Sequence, residues 1–389
     1  MNRRSFLKGL GGMAVSKFLP AASLNVKVNG KTLILIELKG GNDGLNTVVP
    51  FKDPLYYKFR PKIAIPPDLV IPISAESGLH PSLEPLKQVW DQQDLAIVQG
   101  LGYAKPNRSH FSSIDIWESA LHTEIDTGIG WISSLFDRDP HIFKGSQIHA
   151  LILGDPNLGP LKNGKISTLV TRGNGKRFRK TFGKHRASSS LSGNKPLKHI
   201  FKVQEQNVYN SNLFSNSLKN CQDNFDSFPV TRFGRSFKLL TRSMIGGLRP
   251  GVAKLTLSGF DTHSGQLAKH KKLLKELAES IRTCRNIMKD RGLWNDVLIM
   301  TYSEFGRRVN ENGSGGTDHG TAAPHFLIGG RVQGGLYGKQ PSLKNLSKGD
   351  LEFTMDFRSL YQTVMKYWWG TQESVSQQDQ WELINCFKT

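Results

Sequence analysis

The side chains of this 389-residue chain that could do chemistry sit in five short stretches. Asp43 follows Gly40-Gly41-Asn42, Arg108-Ser109-His110 follows a Gly100 to Pro106 loop, and Asp261-Thr262-His263 follows Gly259-Phe260. Ser303-Glu304-Phe305-Gly306-Arg307 and Gly316-Thr317-Asp318-His319-Gly320 complete the set. Asp, Glu and neutral His are the ligand types of zinc, manganese and related divalent ions, whereas an all-oxygen set favours calcium or magnesium. Ser109 adds a hydroxyl nucleophile, Arg108 a forked clamp for an anionic group, and His110 or His263 a proton carrier. Each stretch also has an ordinary reading. Asp43 suits an Asx-turn or helix cap and Ser109 a helix N-cap. Asp261 and His263 suit a satisfied polar corner, Glu304 an ion pair with Arg307 or Arg308, and Asp318-His319 a glycine-rich turn. Convergence of all five is what favours a site. His80, His122, His270 and His325 have no comparable setting and read as structural or surface residues.

The elements that would position these groups alternate between strand and helix patterns. Thr32 to Leu38, Leu95 to Val98, His149 to Leu153, Val252 to Leu257, Val297 to Thr301 and His325 to Ile328 read as apolar strands. Phe111 to Leu121 puts Ile114, Trp117 and Leu121 on one helical face, and Leu267 to Met288 carries Leu273, Leu274, Leu277, Ile281, Cys284 and Met288 at three-and-four spacing. This alternation predicts an α/β fold, a mostly parallel central sheet with helices on both faces. The candidate stretches then follow strand ends, where parallel sheets collect function. Between about residues 164 and 227 the pattern fails, and the Lys, Arg, Ser, Asn and Gly content reads as a basic flexible insertion in one domain.

Charge divides the chain further. It carries 52 Lys+Arg against 32 Asp+Glu, a formal net charge of +20. Residues 1–23 hold Arg3, Arg4, Lys8 and Lys17 without an acid, and residues 171–202 hold ten basic residues, again without an acid. The remainder is only mildly basic. Asn2 to Lys8 has the paired arginines, apolar pair and lysine of a twin-arginine signal, followed by a weakly apolar stretch and Pro20-Ala21-Ala22-Ser23. This predicts a signal peptide over 1–23, one domain over 24–389, passage through the twin-arginine translocase and a periplasmic or secreted location. Cys221, Cys284 and Cys386 cannot all pair with one another, and Cys284 sits at core spacing. Only Phe178, Phe182 and Phe201 interleave with the basic run, so nucleic acid is not an expected partner. An anionic envelope surface suits the basic insertion better.

The same motifs, with Tyr56 to Pro61, Leu79-His80-Pro81, Gly128 to Trp131 and Asp356-Phe357-Arg358-Ser359, resemble the bacterial exported family catalogued as domain of unknown function 1501. That family looks like a distant branch of the alkaline phosphatase and sulfatase superfamily. The resemblance implies an α/β sandwich with a metal-dependent site for phosphate or sulfate esters, or for an acidic polysaccharide, at one end of the sheet. By position it implies Asp43, Asp261, His263, Glu304, Asp318 and His319 as metal residues and Ser109 as nucleophile, with Arg108 and His110 beside it. The implied cofactor is a divalent ion, zinc, calcium or manganese. Where the superfamily has an Asp-His pair, this chain reads Glu304-Phe305, and a phenyl ring cannot bind metal. One of the two usual ions is therefore expected to be weakened or missing. A second reading is an envelope binding or assembly protein that keeps the fold without turnover.

Overall fold

The computed structural model describes residues 30–122, 128–171, 195–376 and 381–388, without the side chains of residues 195–200. The signal stretch 1–23 and the basic run over 172–194 lie outside the described residues.

The main sheet is built from Thr32–Lys39 (β1), Leu95–Gly102 (β2), Ile148–Leu153 (β3), Thr168–Thr171 (β4), Pro250–Ser258 (β5), Val297–Tyr302 (β6), Ala323–Gly329 (β7) and Gly335–Tyr337 (β8), with the short strand Met355–Asp356 (β9) also pairing in parallel with β2. Their spatial order is β8-β2-β7-β6-β1-β5-β3-β4. Only β7 runs antiparallel to its neighbours; β1 lies parallel to both β5 and β6, with Glu37 beside Thr256 and Tyr302. The β1 core is continuous, Leu33 to Ile36 being fully buried, because a central parallel strand is covered on both faces. Ile34, Ile36 and Leu38 pack into one core and Leu33 and Leu35 into the other. The first core is closed by the helices Arg232–Ile245 (α4) and Gln266–Asp290 (α5), the second by His110–Ser119 (α1), Trp131–Arg138 (α2) and Phe357–Thr363 (α6). The expected mostly parallel sheet with helices on both faces is what the chain forms.

The stretch read as an insertion is not without structure. Lys195–Asn220 is a 26-residue helix (α3) whose Phe214 is buried and whose Asn210 amide donates to Ser167 Oγ at 2.7 Å. Leu213, Phe214 and Leu218 form its apolar stripe against the core, diluted in the sequence by Asn, Ser and Lys on the other faces. All three cysteines are free and buried, and burial pushes the Cys284 thiol up to about 12.

The sheet's second face carries a buried charge cluster. Lys254 Nζ, fully enclosed, donates to Glu37 Oε2 at 2.7 Å, as does Thr256 Oγ1 at 2.9 Å. Glu118 on α1 lies against the same group, with Lys162 Nζ at 3.1 Å, and burial pushes its carboxyl up to about 7, the neighbouring Lys254 pulling the other way. A carboxyl whose folded value exceeds its unfolded one stabilises the fold while protonated, and that stability is lost as pH rises from its usual value through 7. The unfolding free energy should therefore fall by about 3 kcal/mol across that window from Glu118 alone. Urea unfolding of Glu118→Gln against the native chain at pH 5 and pH 8 checks this: the gain should be large at pH 8 and small at pH 5. Equal effects at both would show that Glu118 does not titrate there.

Candidate metal centre

The carboxyl ends of β1, β2, β5 and β6 and the entrance to β7 share one edge of the sheet, and the five candidate stretches are the loops of that edge. The loops pack closely. Gly40 and Gly41 have φ of +119° and +81°, and a Cβ on them would stand 2.3 Å from Asp261 N and 2.4 Å from the Phe305 ring. Only glycine fits there.

Asp261 Oδ1 is the hub of this edge. It lies 3.1 Å from His263 Nε2, 3.3 Å from His319 Nε2, 3.5 Å from His110 Nε2 and 2.7 Å from Arg307 Nη2. His263 Nε2 and His319 Nε2 are themselves 2.9 Å apart. The opposite nitrogen of each ring faces an acceptor: His110 Nδ1 meets Glu304 Oε1 at 2.8 Å, His263 Nδ1 meets Asp318 Oδ1 at 3.0 Å, and His319 Nδ1 meets the Arg108 carbonyl at 2.8 Å. A carbonyl or carboxylate can only accept, so each Nδ1 carries a proton, and each ring turns its Nε2 toward Asp261. With the rings neutral, three Nε2 lone pairs and a carboxylate oxygen face one another, an arrangement that a cation among them relieves. Donor atoms around a tetrahedral zinc stand about 3.3 Å apart, close to the spacing between Asp261 Oδ1 and the three nitrogens. His110, Asp261 and His319 place their donor atoms within 4.8 Å of one another.

Neighbouring charges tune these groups in opposite directions. The Glu304 bond, more than burial opposes it, holds His110 above its ordinary value, while burial holds His319 below. Burial pushes the Asp261 carboxyl up, but Arg307 outweighs it and leaves the group lowered; the Asn312 and His263 bonds lower Asp318.

The remaining candidates stand elsewhere. Glu304 is not paired with Arg307 or Arg308; its Oε1 accepts from Gly40 N at 2.9 Å and faces His110, so it orients a ring. Asp318 does the same for His263. Ser109 is the exposed N-cap residue of α1, with its amide bonded to Asn107 Oδ1 and no side-chain capping bond. Arg108 turns its guanidinium to Asp350, Nη1 to Oδ2 at 3.0 Å. Asp43 is fully buried and outside the cluster. Its Oδ2 accepts from Arg60 Nη1 at 2.6 Å and from the Gln266 amide, and Arg60 also reaches Asn46 Oδ1 at 2.7 Å. Burial alone would raise this carboxyl, and Arg60 instead leaves it lowered. A guanidinium thus fills the position beside Asp43 that the resemblance reserves for an ion. Phe305 is buried, its ring 5.0 Å from His110 and 4.7 Å from His319.

Sequence reasoning missed Arg60 and Gln266, and it assigned Arg307 to the wrong carboxylate. No spacing in Tyr56 to Pro61 marks Arg60, whose partners are 14 or more residues away.

Residues 202–372 match the model of a protein family, DUF1501, described as a protein of unknown function. The DUF1501 match takes in Asp261, His263, Glu304, Arg307, Asp318 and His319, while Asp43, Arg60 and Arg108 to His110 precede it. No curated protein matches the chain. Among solved structures, the chain is similar to a protein in the alkaline phosphatase superfamily from Vibrio parahaemolyticus, 10% identical with a TM-score of 0.40, over 88% of this chain and 67% of that one. It is also similar to a Bacteroides thetaiotaomicron protein from a locus for metabolism of multiple glycosaminoglycans, 10% identical with a TM-score of 0.42, over 91% and 75%. A third is the periplasmic domain of EptC from Escherichia coli in complex with Zn, 8% identical with a TM-score of 0.35, over 77% and 72%. Among the described residues no helix is long and apolar enough to cross a membrane.

Proposed function

We propose that this chain is an exported, divalent-metal-dependent hydrolase of phosphate or sulfate esters that works with one ion. The convergence of three imidazole Nε2 atoms on Asp261 Oδ1 carries this reading. His110, His263, His319 and Asp261 would hold the ion. Three nitrogens and one oxygen suit zinc or manganese and disfavour calcium, which takes oxygen. Arg60 beside Asp43 and Phe305 beside His319 support a single ion.

A bound ion there supplies a Lewis acid for an ester oxygen and lowers the pKa of a coordinated oxygen. The protein's own part begins with Ser109, whose hydroxyl, exposed at the helix entrance, attacks phosphorus or sulfur. The serine proton leaves with the departing alcohol or phenol, and water then cleaves the seryl ester and restores the hydroxyl. Glu304, Asp318 and the Arg108 carbonyl keep the three rings in one tautomer throughout. With both its nitrogens so committed, His110 suits holding the ion better than carrying a proton.

The test is hydrolysis of p-nitrophenyl phosphate and p-nitrophenyl sulfate by the full chain, with and without added zinc, alongside metal analysis. We expect one ion per chain, turnover that disappears on chelation, and a loss of at least about a thousandfold in kcat for Ser109→Ala with zinc binding unchanged. Full turnover by that variant sinks the nucleophile assignment. Zinc binding without turnover of either ester would favour the second reading, an envelope binding protein, which the Arg60–Asp43 pair and Phe305 also suit.

A further inference from the structure

A groove of about 880 Å3 runs between the first turns of α5, the stretch over 62–69 and the short helical segment Pro81–Leu86, and none of its lining residues belongs to the imidazole cluster. Its size falls within the roughly 300–1,000 Å3 range of small-molecule sites. Ile65, Pro66, Leu69, Pro81, Pro85 and Leu267 make its walls apolar. Leu69 is 54% and Leu267 42% exposed, so two separate elements leave apolar surface in water along one depression. A lone exposed leucine is ordinary, but two lining one concave surface mark a place where apolar matter can be covered.

His80 adds a buried donor to this groove, its residue only 3% exposed. Its Nδ1 accepts from the Ser82 amide at 3.0 Å, so in the neutral ring the proton sits on Nε2. That N–H has no hydrogen-bond partner among the described residues, yet it is not sealed from solvent as the orphaned His270 Nδ1 and His325 nitrogens are; it faces the groove that its ring lines. Burial, more than the neighbouring His270 and Lys271, lowers His80 to about 3, so the ring donates without bringing charge. Charge enters from the lysines. Lys271 stands close enough to act on the His80 ring, and neither it nor Lys62 has an ion-pair partner among the described residues. Lys275 is matched with Glu279 at 3.7 Å, which leaves Glu84 as the acid to set against those two lysines.

A simple anion would use the lysines and leave the apolar walls wet. A neutral hydrocarbon would cover the walls and strand the His80 N–H. A peptide would bring a donor and an acceptor at every residue to walls that offer few partners, and a flat bilayer surface would not reach a donor buried in a concave groove. A long apolar body with one anionic head satisfies all of these groups, and the two oxygens of a carboxylate match one N–H and one ammonium. We infer that the groove binds a single-chain carboxylate amphiphile, its acyl chain lying along Leu69 and Leu267 and its head accepting from His80 Nε2 and Lys271. No metal ligand or reacting group takes part, so this binding stands apart from the hydrolase reading.

The test is displacement of the fluorescent acid 11-(dansylamino)undecanoic acid from the full chain at pH 8, in the presence of a metal chelator. The competitors are acetate, octanoate, decanoate and laurate below their micellar concentrations, with decanol as the uncharged comparison. Each buried CH2 contributes about 0.8 kcal/mol, so affinity should rise by up to about fourfold per carbon, laurate binding at least about thirtyfold more tightly than octanoate and acetate not measurably. Decanol should bind at least about tenfold more weakly than decanoate. Leu267→Gln and Lys271→Gln, both at exposed helix positions, should each weaken laurate by about five- to tenfold. His80→Asn, which keeps an acceptor for the Ser82 amide but withdraws the ring N–H, should weaken it by about tenfold, with thermal unfolding as the folding check for all three variants. Equal binding of octanoate and laurate, or of decanoate and decanol, overturns the proposal, as does laurate affinity unchanged in both glutamine variants. Capture of the chain by phosphatidylglycerol vesicles without saturable displacement by laurate would give the groove to a bilayer surface and overturns it too.

Discussion

Asp261→Asn is expected to weaken zinc binding by more than about a hundredfold while leaving the chain folded. The substitution keeps the size of the side chain and an oxygen for Arg307, but removes the charge toward which three Nε2 atoms point. Losing a carboxylate that orients a metal-bound histidine typically costs 10–100-fold in affinity, and losing a ligand should cost more. Glu304→Gln supplies the internal scale. It keeps an acceptor for His110 Nδ1 while dropping the charge, so its loss should fall at or below the lower end of that range. The measurement is competition for zinc against a chromophoric chelator at pH 7.5, with circular dichroism as the folding check. If Asp261→Asn binds zinc as tightly as the native chain, the imidazole cluster is not a metal centre. If Glu304→Gln loses more than Asp261→Asn, the roles of hub and orienting group have been exchanged.

What the sequence made legible was the sheet and the identity of the loops on its working edge. Strand runs such as Thr32 to Leu38 and Val297 to Thr301 are nearly all apolar, and it is their shortness and the glycine and polar residues at their ends, not a period, that locate them. Helix α4 was passed over although Phe233, Phe237, Leu240 and Met244 recur at helical spacing and are buried; Arg232, Arg235, Lys238 and Arg242 lie off that stripe and dilute the segment when it is read as a run. The site was legible only as a list. Asp261, His263 and His319 sit together as their spacing after strand ends suggested, whereas Asp43 sits apart. Nothing local to Asp43 distinguishes a carboxylate facing an ion from one facing a guanidinium, since Arg60 reaches it through the fold and not through the chain. Glu304 illustrates the same limit in the other direction: its nearest arginine in sequence is Arg307, but that side chain turns away to Asp261 and the backbone of three loops. Exact partners depend on side-chain direction at a loop, which neither composition nor period encodes.

That brace makes Arg307→Ala the substitution expected to cost the most stability. The Arg307 side chain is fully buried. Its Nε donates to the Gly41 carbonyl at 2.8 Å and its Nη1 to that of Thr317 at 2.9 Å, while Nη2 reaches the Gly40 carbonyl, the Phe260 carbonyl at 3.0 Å and Asp261 Oδ1 at 2.7 Å. One planar group thereby ties the loop after β1 to the loop after β5 and to the segment entering β7. Truncation to alanine leaves four carbonyls without this donor, each worth about 1–3 kcal/mol if water cannot reach it. Asp261 is about half exposed, so water takes over part of its lost ion pair and the full cost of breaking a buried pair does not apply to it. A loss of about 4 kcal/mol is the expected net. Arg307→Lys should recover only part of that loss, because one ammonium cannot span carbonyls on three loops. Since the same group holds Asp261 toward the imidazoles, zinc affinity should fall by roughly 10–100-fold in both variants. Urea unfolding reads the first effect and zinc competition the second. A stability loss below about 1 kcal/mol for Arg307→Ala would mean that the three loops hold their places by packing alone, and the buried guanidinium would then have to be explained by its hold on Asp261.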